Sequence, residues 1–109
     1  MNIYEHTYIA VPEANKKDIE QIEKKIEEIL VKNSGKIHKT EDWGLRSLSY
    51  PIKKNNKGYY RNVYFEGNKD AVKEIESFEK YEDKIIKYLS MKLKKIPKED
   101  SELAKEKIK

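Results

Sequence analysis

The sequence predicts an α+β fold of the ferredoxin-like type, a four-stranded antiparallel sheet with two helices on one face. Two segments carry apolar residues at helical spacing, and four segments are rich in β-branched and aromatic residues. Their order along the chain is strand–helix–strand–strand–helix–strand, which is the split βαβ pattern. In that pattern strands one and three are central, and strands two and four are edges. The uncovered face and the edges are therefore where function is expected.

The first strand is predicted over residues 3–11, where Pro12 stops it. Asn15 can cap the first helix, with Asp18 near the positive end of its dipole. Gly35, at the end of the run Asn-Ser-Gly, is expected to take the left-handed conformation that closes the helix. One apolar stripe defines the buried side of this helix: Ile19, Ile22, Ile26, Ile29 and Leu30.

The second half of the chain repeats this arrangement with a hairpin in front of it. Residues 36–48 and 58–66 predict the second and third strands, joined by a turn rich in Lys and Asn over residues 53–58. Pro51 cannot donate a ladder hydrogen bond, which places it at a sheet edge or a strand end. Residues 85–93 predict the last strand. The second helix lies between these strands, with Asn68 as its cap and one apolar face: Ala71, Val72, Ile75 and Phe78.

Size and composition limit the class of protein. With 109 residues, of which 37% are hydrophobic and 40% charged, the chain predicts one small domain over residues 1–96. The charged tail, residues 97–109, is expected to be disordered or to form a loosely held helix. There is no cysteine, no apolar run of the roughly 20 residues that cross a bilayer, and no signal-peptide pattern at the N-terminus. A soluble cytoplasmic protein without membrane contact is expected.

Positive charge is concentrated around the predicted hairpin. Residues 36–61 contain seven Lys or Arg against Glu41 and Asp42, a net of +5, whereas the whole chain carries +4. The remainder is thus slightly acidic. The same segment holds the single tryptophan, Trp43. A basic, aromatic-bearing segment in a mildly acidic body favours binding of a polyanion through one surface.

Specific residues of this segment resemble the bacterial small-subunit ribosomal protein six family. The resemblance is carried by Tyr4-Glu5, Gly35-Lys36-Ile37, the run from Glu41 to Lys54 and Gly58-Tyr59, and it covers residues 1–93. Ser49 stands where the family usually has Ala. The resemblance implies a structural constituent of the small ribosomal subunit that binds the central domain of its RNA. It also implies small ribosomal protein eighteen as the partner during assembly. We expect no cofactor and a monomer when the protein is free.

The resemblance and the charge pattern together predict two sets of site residues, one for RNA and one for the partner protein. Cations are expected to bind phosphates, with the Arg fork matching phosphate oxygens and Lys acting as point charge. Lysines on an edge strand can equally serve to block aggregation, and the hairpin residues 50–52 can pack on their own sheet. The RNA-binding candidates are Asn2, Tyr4, Arg46, Lys53, Lys54, Lys57, Lys87 and Lys92. The candidates for partner-protein contact are Tyr50, Pro51, Ile52, Tyr60 and Tyr64.

Residues 57–64 partly match the octamer of RNA-recognition motifs, but side-chain alternation argues against that function. The octamer needs Tyr59 and Arg61 on the open face of the sheet to stack bases. Val63 would then face water and Asn62 would be buried, so the opposite orientation is predicted. Tyr64 is then expected on the open face, with its hydroxyl in water or against a partner.

Catalytic and metal-binding patterns are missing from the sequence. Glu41 and Asp42 are adjacent on a strand, so they point to opposite faces. The glycines are isolated and form no phosphate loop. His6 is expected to be a hydrogen-bonded structural histidine, and His38 to contact solvent or RNA and no metal. We predict a protein that is not an enzyme. The alternative is a ferredoxin-like regulatory or oligomerisation module that binds a small ligand and no RNA.

Overall fold

The structure of the protein, a computed structural model, describes residues 2–94. The predicted tail, residues 97–109, lies outside the described residues. The elements are β1 (Asn2–Ala10), α1 (Lys16–Lys32), β2 (Lys36–Ile52), β3 (Asn55–Gly67), α2 (Lys69–Lys80) and β4 (Ile85–Leu93). All neighbouring strands are antiparallel, in the order β2-β3-β1-β4. The predicted fold, with β1 and β3 central, is confirmed.

Both helices begin at the predicted caps. The Asn15 side chain accepts a hydrogen bond from the Asp18 N–H (2.8 Å), and the Asp18 carboxylate accepts one from the Asn15 N–H (3.0 Å). This reciprocal pair is a capping box. At α2, the Asn68 side chain accepts from the Ala71 N–H at 2.7 Å. The predicted apolar stripe of α1 is buried along its length.

The end of α1 differs from the prediction. Ser34, and not Gly35, takes the left-handed conformation, with φ of 64°. The Gly35 N–H then donates to the Leu30 carbonyl at 2.6 Å. Gly35 is needed for another reason, since a Cβ there would lie 2.4 Å from the Glu66 carbonyl oxygen. The glycine therefore allows the chain leaving α1 to approach β3 closely.

The β2–β3 hairpin is longer than predicted and its turn is shorter. The pairs Ser47↔Lys57 and Ile52↔Asn55 leave only Lys53 and Lys54 in the turn. Between these pairs β2 has four residues, 48–51, and β3 has one. This bulge absorbs Pro51, which has no N–H to donate, so the edge strand continues past the proline. The predicted six-residue turn and the predicted end of the second strand at residue 48 are wrong.

The two faces of the sheet are used differently. One face packs against the helices, where Tyr4, Tyr8, Val63 and Phe65 join the apolar stripes of α1 and α2 in a single core. Asn62 lies on the other face, because it alternates with Val63 along β3. The predicted orientation of β3 is confirmed, and an RNA-recognition octamer with Tyr59 and Arg61 on the open face is excluded.

A buried histidine–carboxylate pair joins β1 to α2. His6 is fully buried, its Nε2 lies 2.8 Å from a Glu79 carboxylate oxygen, and its Nδ1 lies 2.7 Å from the Ser90 hydroxyl. His6 is thus the hydrogen-bonded structural histidine that was predicted. Burial raises the pKa of Glu79, and the hydrogen bond from His6 opposes this only in part. The core therefore contains a polar link among three elements.

A second ion pair, which is half-buried, joins β3 to α1. Arg61 donates to both oxygens of Glu23, at 2.7 and 2.9 Å, and the Tyr8 hydroxyl donates to the same carboxylate at 2.7 Å. Burial alone would lower the pKa of Arg61, but the bonds to Glu23 outweigh it and the pKa is raised. Such two-pronged pairs fix orientation as well as charge. Arg61 is consequently part of the body of the fold.

Candidate nucleic-acid interface

A two-stranded arm extends beyond the body of the sheet. The last pair between β1 and β3 is Ala10↔Tyr59, so residues 46–58 have no partner in β1. We call these residues the hairpin arm. Tyr50 is 62% exposed, and the lysines of the arm are all exposed. The candidate residues of the arm thus lie on a two-stranded ribbon that extends past the end of β1.

A bulge at Trp43 sets the direction of the arm. Asp42 pairs with Arg61 and Gly44 pairs with Tyr60, which leaves Trp43 as the extra residue of β2. Gly44 has φ of 79°, a conformation that favours glycine. The buried Trp43 indole donates to the Glu41 carboxylate at 2.9 Å. The bulge itself was not predicted, although the glycine that follows Trp43 is a local signal for it.

Arg46 is held at the base of the arm. Its Nε donates to the Trp43 carbonyl at 2.9 Å, and its backbone pairs with Gly58. A Cβ at Gly58 would lie 2.3 Å from Ile9 Cγ2 and 3.5 Å from Leu48 Cδ2. Gly58 and these apolar groups therefore share the open face of the sheet, and Arg46 lies on that face by its register with Gly58.

The centre of the open face is covered by a network of polar side chains. Asn62 donates to Glu5 at 2.9 Å and accepts from Thr7 at 2.9 Å, and the Tyr64 hydroxyl donates to Glu5 at 3.0 Å. Asn62 and Tyr64 are both buried. The prediction that the Tyr64 hydroxyl meets water or a partner is wrong. Burial, followed by the bond to Glu5, raises the pKa of Tyr64.

Glu41 and Asp42 take opposite faces, as predicted. Glu41 is buried on the open face, with Lys39 Nζ 3.2 Å from its carboxylate. Lys39 also lies over the Tyr64 ring, 5.8 Å from its centre. Asp42 is on the helix side, where the Tyr59 hydroxyl donates to it at 2.9 Å. Both acidic residues of this basic segment therefore bond to neighbouring side chains, Glu41 in a buried position and Asp42 in a half-buried one.

The predicted RNA-binding residues fall into two groups at opposite ends of the sheet. Asn2 and Ala10 bound β1, whose eight residue steps span about 27 Å. Asn2, Tyr4 and Lys92 lie at the first end, because Lys92 pairs with Tyr4. The other end is marked by Lys87, which pairs with Ile9, and by the hairpin arm. Arg46, Lys53, Lys54, Lys57 and Lys87 therefore lie toward one end of the sheet, and Asn2, Tyr4 and Lys92 lie toward the other.

Exposure divides the candidates further. Tyr4 is 8% exposed, and its ring centre lies 5.5 Å from that of Phe65 in the core. The Tyr4 ring is therefore packed in the core and leaves little surface for RNA to contact. Lys92 is exposed on the helix side of β4, whereas Lys87 is exposed on the open face.

The partner-contact candidates also divide. Tyr50 and Pro51 are exposed in the bulge of the arm, and Ile52 is half-buried beside the turn. Tyr60 is half-buried on the open face, and the buried Tyr64 presents little surface. The bulge opposite Asn56 thus carries the most accessible apolar surface of this set.

Neither a cluster of metal ligands nor a membrane-spanning helix is found among the described residues. His38 Nε2 lies 3.0 Å from Glu66, and residues 2–94 contain no group of three or more His, Cys, Asp or Glu able to hold a metal ion. Within the same residues, neither helix has the length and apolar content to span a bilayer.

Comparisons with known proteins agree on one family. The profile described as "Ribosomal protein S6" matches residues 3–92. The small ribosomal subunit protein bS6 of Pelagibacter ubique is 39% identical over 95 residues, which cover 87% of this chain and 78% of that protein. The corresponding protein of Geotalea daltonii is 37% identical, covering 87% and 74%. These relatives are ribosomal proteins and not enzymes, which confirms the prediction of a non-enzymatic protein.

A solved structure shows the same fold. The crystal structure of 30S ribosomal protein S6 from Thermotoga maritima aligns with a TM-score of 0.75 at 30% identity, covering 84% of this chain and 87% of that one. The family profile, which matches residues 3–92, spans the helices, the sheet and the hairpin arm described above. The chain belongs to the ribosomal protein S6 family.

Proposed function

We propose that this protein is a structural component of the small ribosomal subunit, acting in the cytoplasm. It binds the central domain of the small-subunit ribosomal RNA together with small ribosomal protein eighteen during assembly. The observation that carries this proposal is the hairpin arm, a basic ribbon that extends from the fold of a ribosomal protein S6 family member. The free protein is monomeric in this proposal.

Charge and position support RNA as the ligand. Residues 47–58 contain three lysines and no acidic residue, so the arm presents positive charge without local neutralisation. Arg46 and Lys87 add to it on the open face, where three strand spacings separate them by roughly 14 Å. Cations arranged in this way along the end of a sheet suit the phosphates of a folded RNA. Such contacts set the position of the RNA and do not distinguish its base sequence.

Exposed apolar side chains support a protein partner. Tyr50 on the arm is 62% exposed, and Leu89 and Met91 on β4 are 58% and 51% exposed. Leu89 and Met91 pair with Thr7 and Glu5, which places them on the open face. The helix-covered face is filled by the core, so a partner protein has the open face and the edges available.

A gel-shift titration tests the proposal. Wild type is titrated into a central-domain RNA fragment with and without the partner protein, beside Arg46→Ala and Lys53→Ala/Lys54→Ala. We expect micromolar or tighter binding by wild type with the partner present, and weaker binding by both variants while their circular dichroism is unchanged. Absence of wild-type binding at every salt concentration would refute the function. If both variants bind as tightly as wild type, the RNA-binding site does not lie on the arm.

A further inference from the structure

We infer that Lys53 and Lys54 form a preorganised pair of cations at the tip of the arm, held in a strained turn, that binds neighbouring phosphates of the RNA backbone. This inference rests on the proposed function. Beyond that function, the inference names the RNA backbone phosphates as the groups that the tip contacts. It also names the turn as the feature that holds the two lysines.

The strain lies in the backbone of the turn. Lys53 has φ of 49° and Lys54 has φ of 68°, and both residues carry a Cβ. A two-residue hairpin turn with positive φ at both positions is of the type that strongly prefers Asn-Gly or Gly-Gly. Two lysines in succession are therefore a poor choice for the turn itself. Sparsely populated backbone conformations of this kind concentrate at binding sites.

Neighbouring contacts hold the strained turn in place. Ile52 and Asn55 pair directly across the hairpin. The Asn55 side chain donates to the Lys53 carbonyl at 3.1 Å and to the Ile52 carbonyl at 3.4 Å. These bonds hold the backbone of the turn, so the Cα atoms of the two lysines keep adjacent and defined positions. Both residues are exposed.

The chemistry of the pair indicates phosphate as the ligand. An ammonium group is a compact point charge that donates hydrogen bonds in any direction, so it suits phosphate oxygens and has no planar fork for a base edge. Two such groups, carried on side chains that start from adjacent and held backbone positions, can reach two phosphates that follow one another along an RNA strand. Contacts of this kind set position and contribute salt-dependent affinity, and they discriminate little between base sequences.

Two double substitutions separate the turn from the charge. Lys53→Asn/Lys54→Gly installs the preferred turn sequence and removes both charges, whereas Lys53→Gln/Lys54→Gln removes the charges and keeps the strain. We expect both to weaken binding of a central-domain RNA fragment at least tenfold. The slope of log affinity against log salt should fall by about 1.5, since each lost phosphate contact contributes roughly 0.7–0.9. Only Lys53→Asn/Lys54→Gly should raise the melting temperature.

Lys24→Gln/Lys25→Gln is the matched control, because it removes two exposed charges from α1 and should leave affinity within twofold. If wild type binds the RNA and the turn variants keep its affinity and salt slope, the inference is wrong and the proposed function stands. Failure of Lys53→Asn/Lys54→Gly to gain stability over Lys53→Gln/Lys54→Gln would refute the strained turn. If wild type does not bind at all, the proposed function itself fails.

Discussion

The body of the sheet and the hairpin arm place charged residues in different environments. In the body, the buried Glu79 and the half-buried Arg61 each bond to a side chain from another element. In the arm, the charges of Lys53 and Lys54 are exposed on a strained turn. The pairs give the body one defined arrangement, whereas the exposed charges of the turn are available to the RNA ligand that we propose. Under the proposed function, stability and RNA binding therefore depend on different parts of one sheet.

The largest effect should come from breaking a pair in the body. His6→Leu leaves the Glu79 carboxylate buried without its donor, and the loss of one partner of a buried pair costs about 3–5 kcal/mol. Urea denaturation measures this. RNA affinity of the fraction that remains folded should not change.

The double substitution His6→Leu/Glu79→Leu is the control for that experiment. Replacing both partners with apolar groups of similar size removes the uncompensated charge and should recover most of the lost stability. If His6→Leu alone is as stable as wild type, the pair does not specify the body.

A smaller effect is expected where the arm joins the body. Gly58→Ala would place a Cβ 2.3 Å from Ile9 Cγ2. Overpacking of this kind costs about 1–3 kcal/mol, which chemical denaturation can resolve. Ile9→Ala in the same chain makes room, so the double mutant should be more stable than the sum of the single effects predicts. Strict additivity would mean that the contact does not constrain the arm.

The pH dependence of stability should report the buried carboxylate. The pKa of Glu79 is raised by burial, so between about 4.5 and its raised value the folded state keeps a proton that the unfolded state has lost. Stability contributed by this group therefore falls as pH rises through that window. Glu79→Gln removes this part of the slope. A variant with the same pH profile as wild type would contradict the assignment.

The smallest effect on stability is expected at the exposed bulge of the arm. Tyr50→Ser removes a side chain that is 62% exposed, so the free energy of unfolding should change by less than about 0.5 kcal/mol. Binding of the partner protein, measured by calorimetry, should nevertheless weaken. Lys24→Gln/Lys25→Gln on α1 should change neither quantity. A large loss of stability in Tyr50→Ser would show that the bulge packs on its own sheet.

The regular elements could be predicted because local pattern determines them. The apolar stripe from Ile19 to Leu30 and the caps Asn15 and Asn68 act within a few residues, and the structure confirms them. Alternation along β3 also placed Val63 and Phe65 in the core. These signals depend on neighbours in sequence, which is why one sequence was enough.

The remaining features depend on contacts between distant residues. The bulge at Pro51 reflects the register of two strands, and Gly35 is required by a carbonyl of β3. Burial of Tyr64 depends on Glu5, 59 positions away. A pattern of neighbouring residues cannot reveal contacts between residues that are so far apart in the sequence. The division of the RNA-binding candidates between two ends of the sheet was likewise visible only once β1 had been paired with β4.

An NMR titration tests the division between body and arm most directly. Isotope-labelled protein with its partner is titrated with a central-domain RNA fragment, and amide shifts are followed residue by residue. The proposed interface predicts the largest changes over residues 46–58 and at Lys87, with little change along the exposed faces of α1 and α2. Changes concentrated on the helices, with residues 46–58 unaffected, would contradict it.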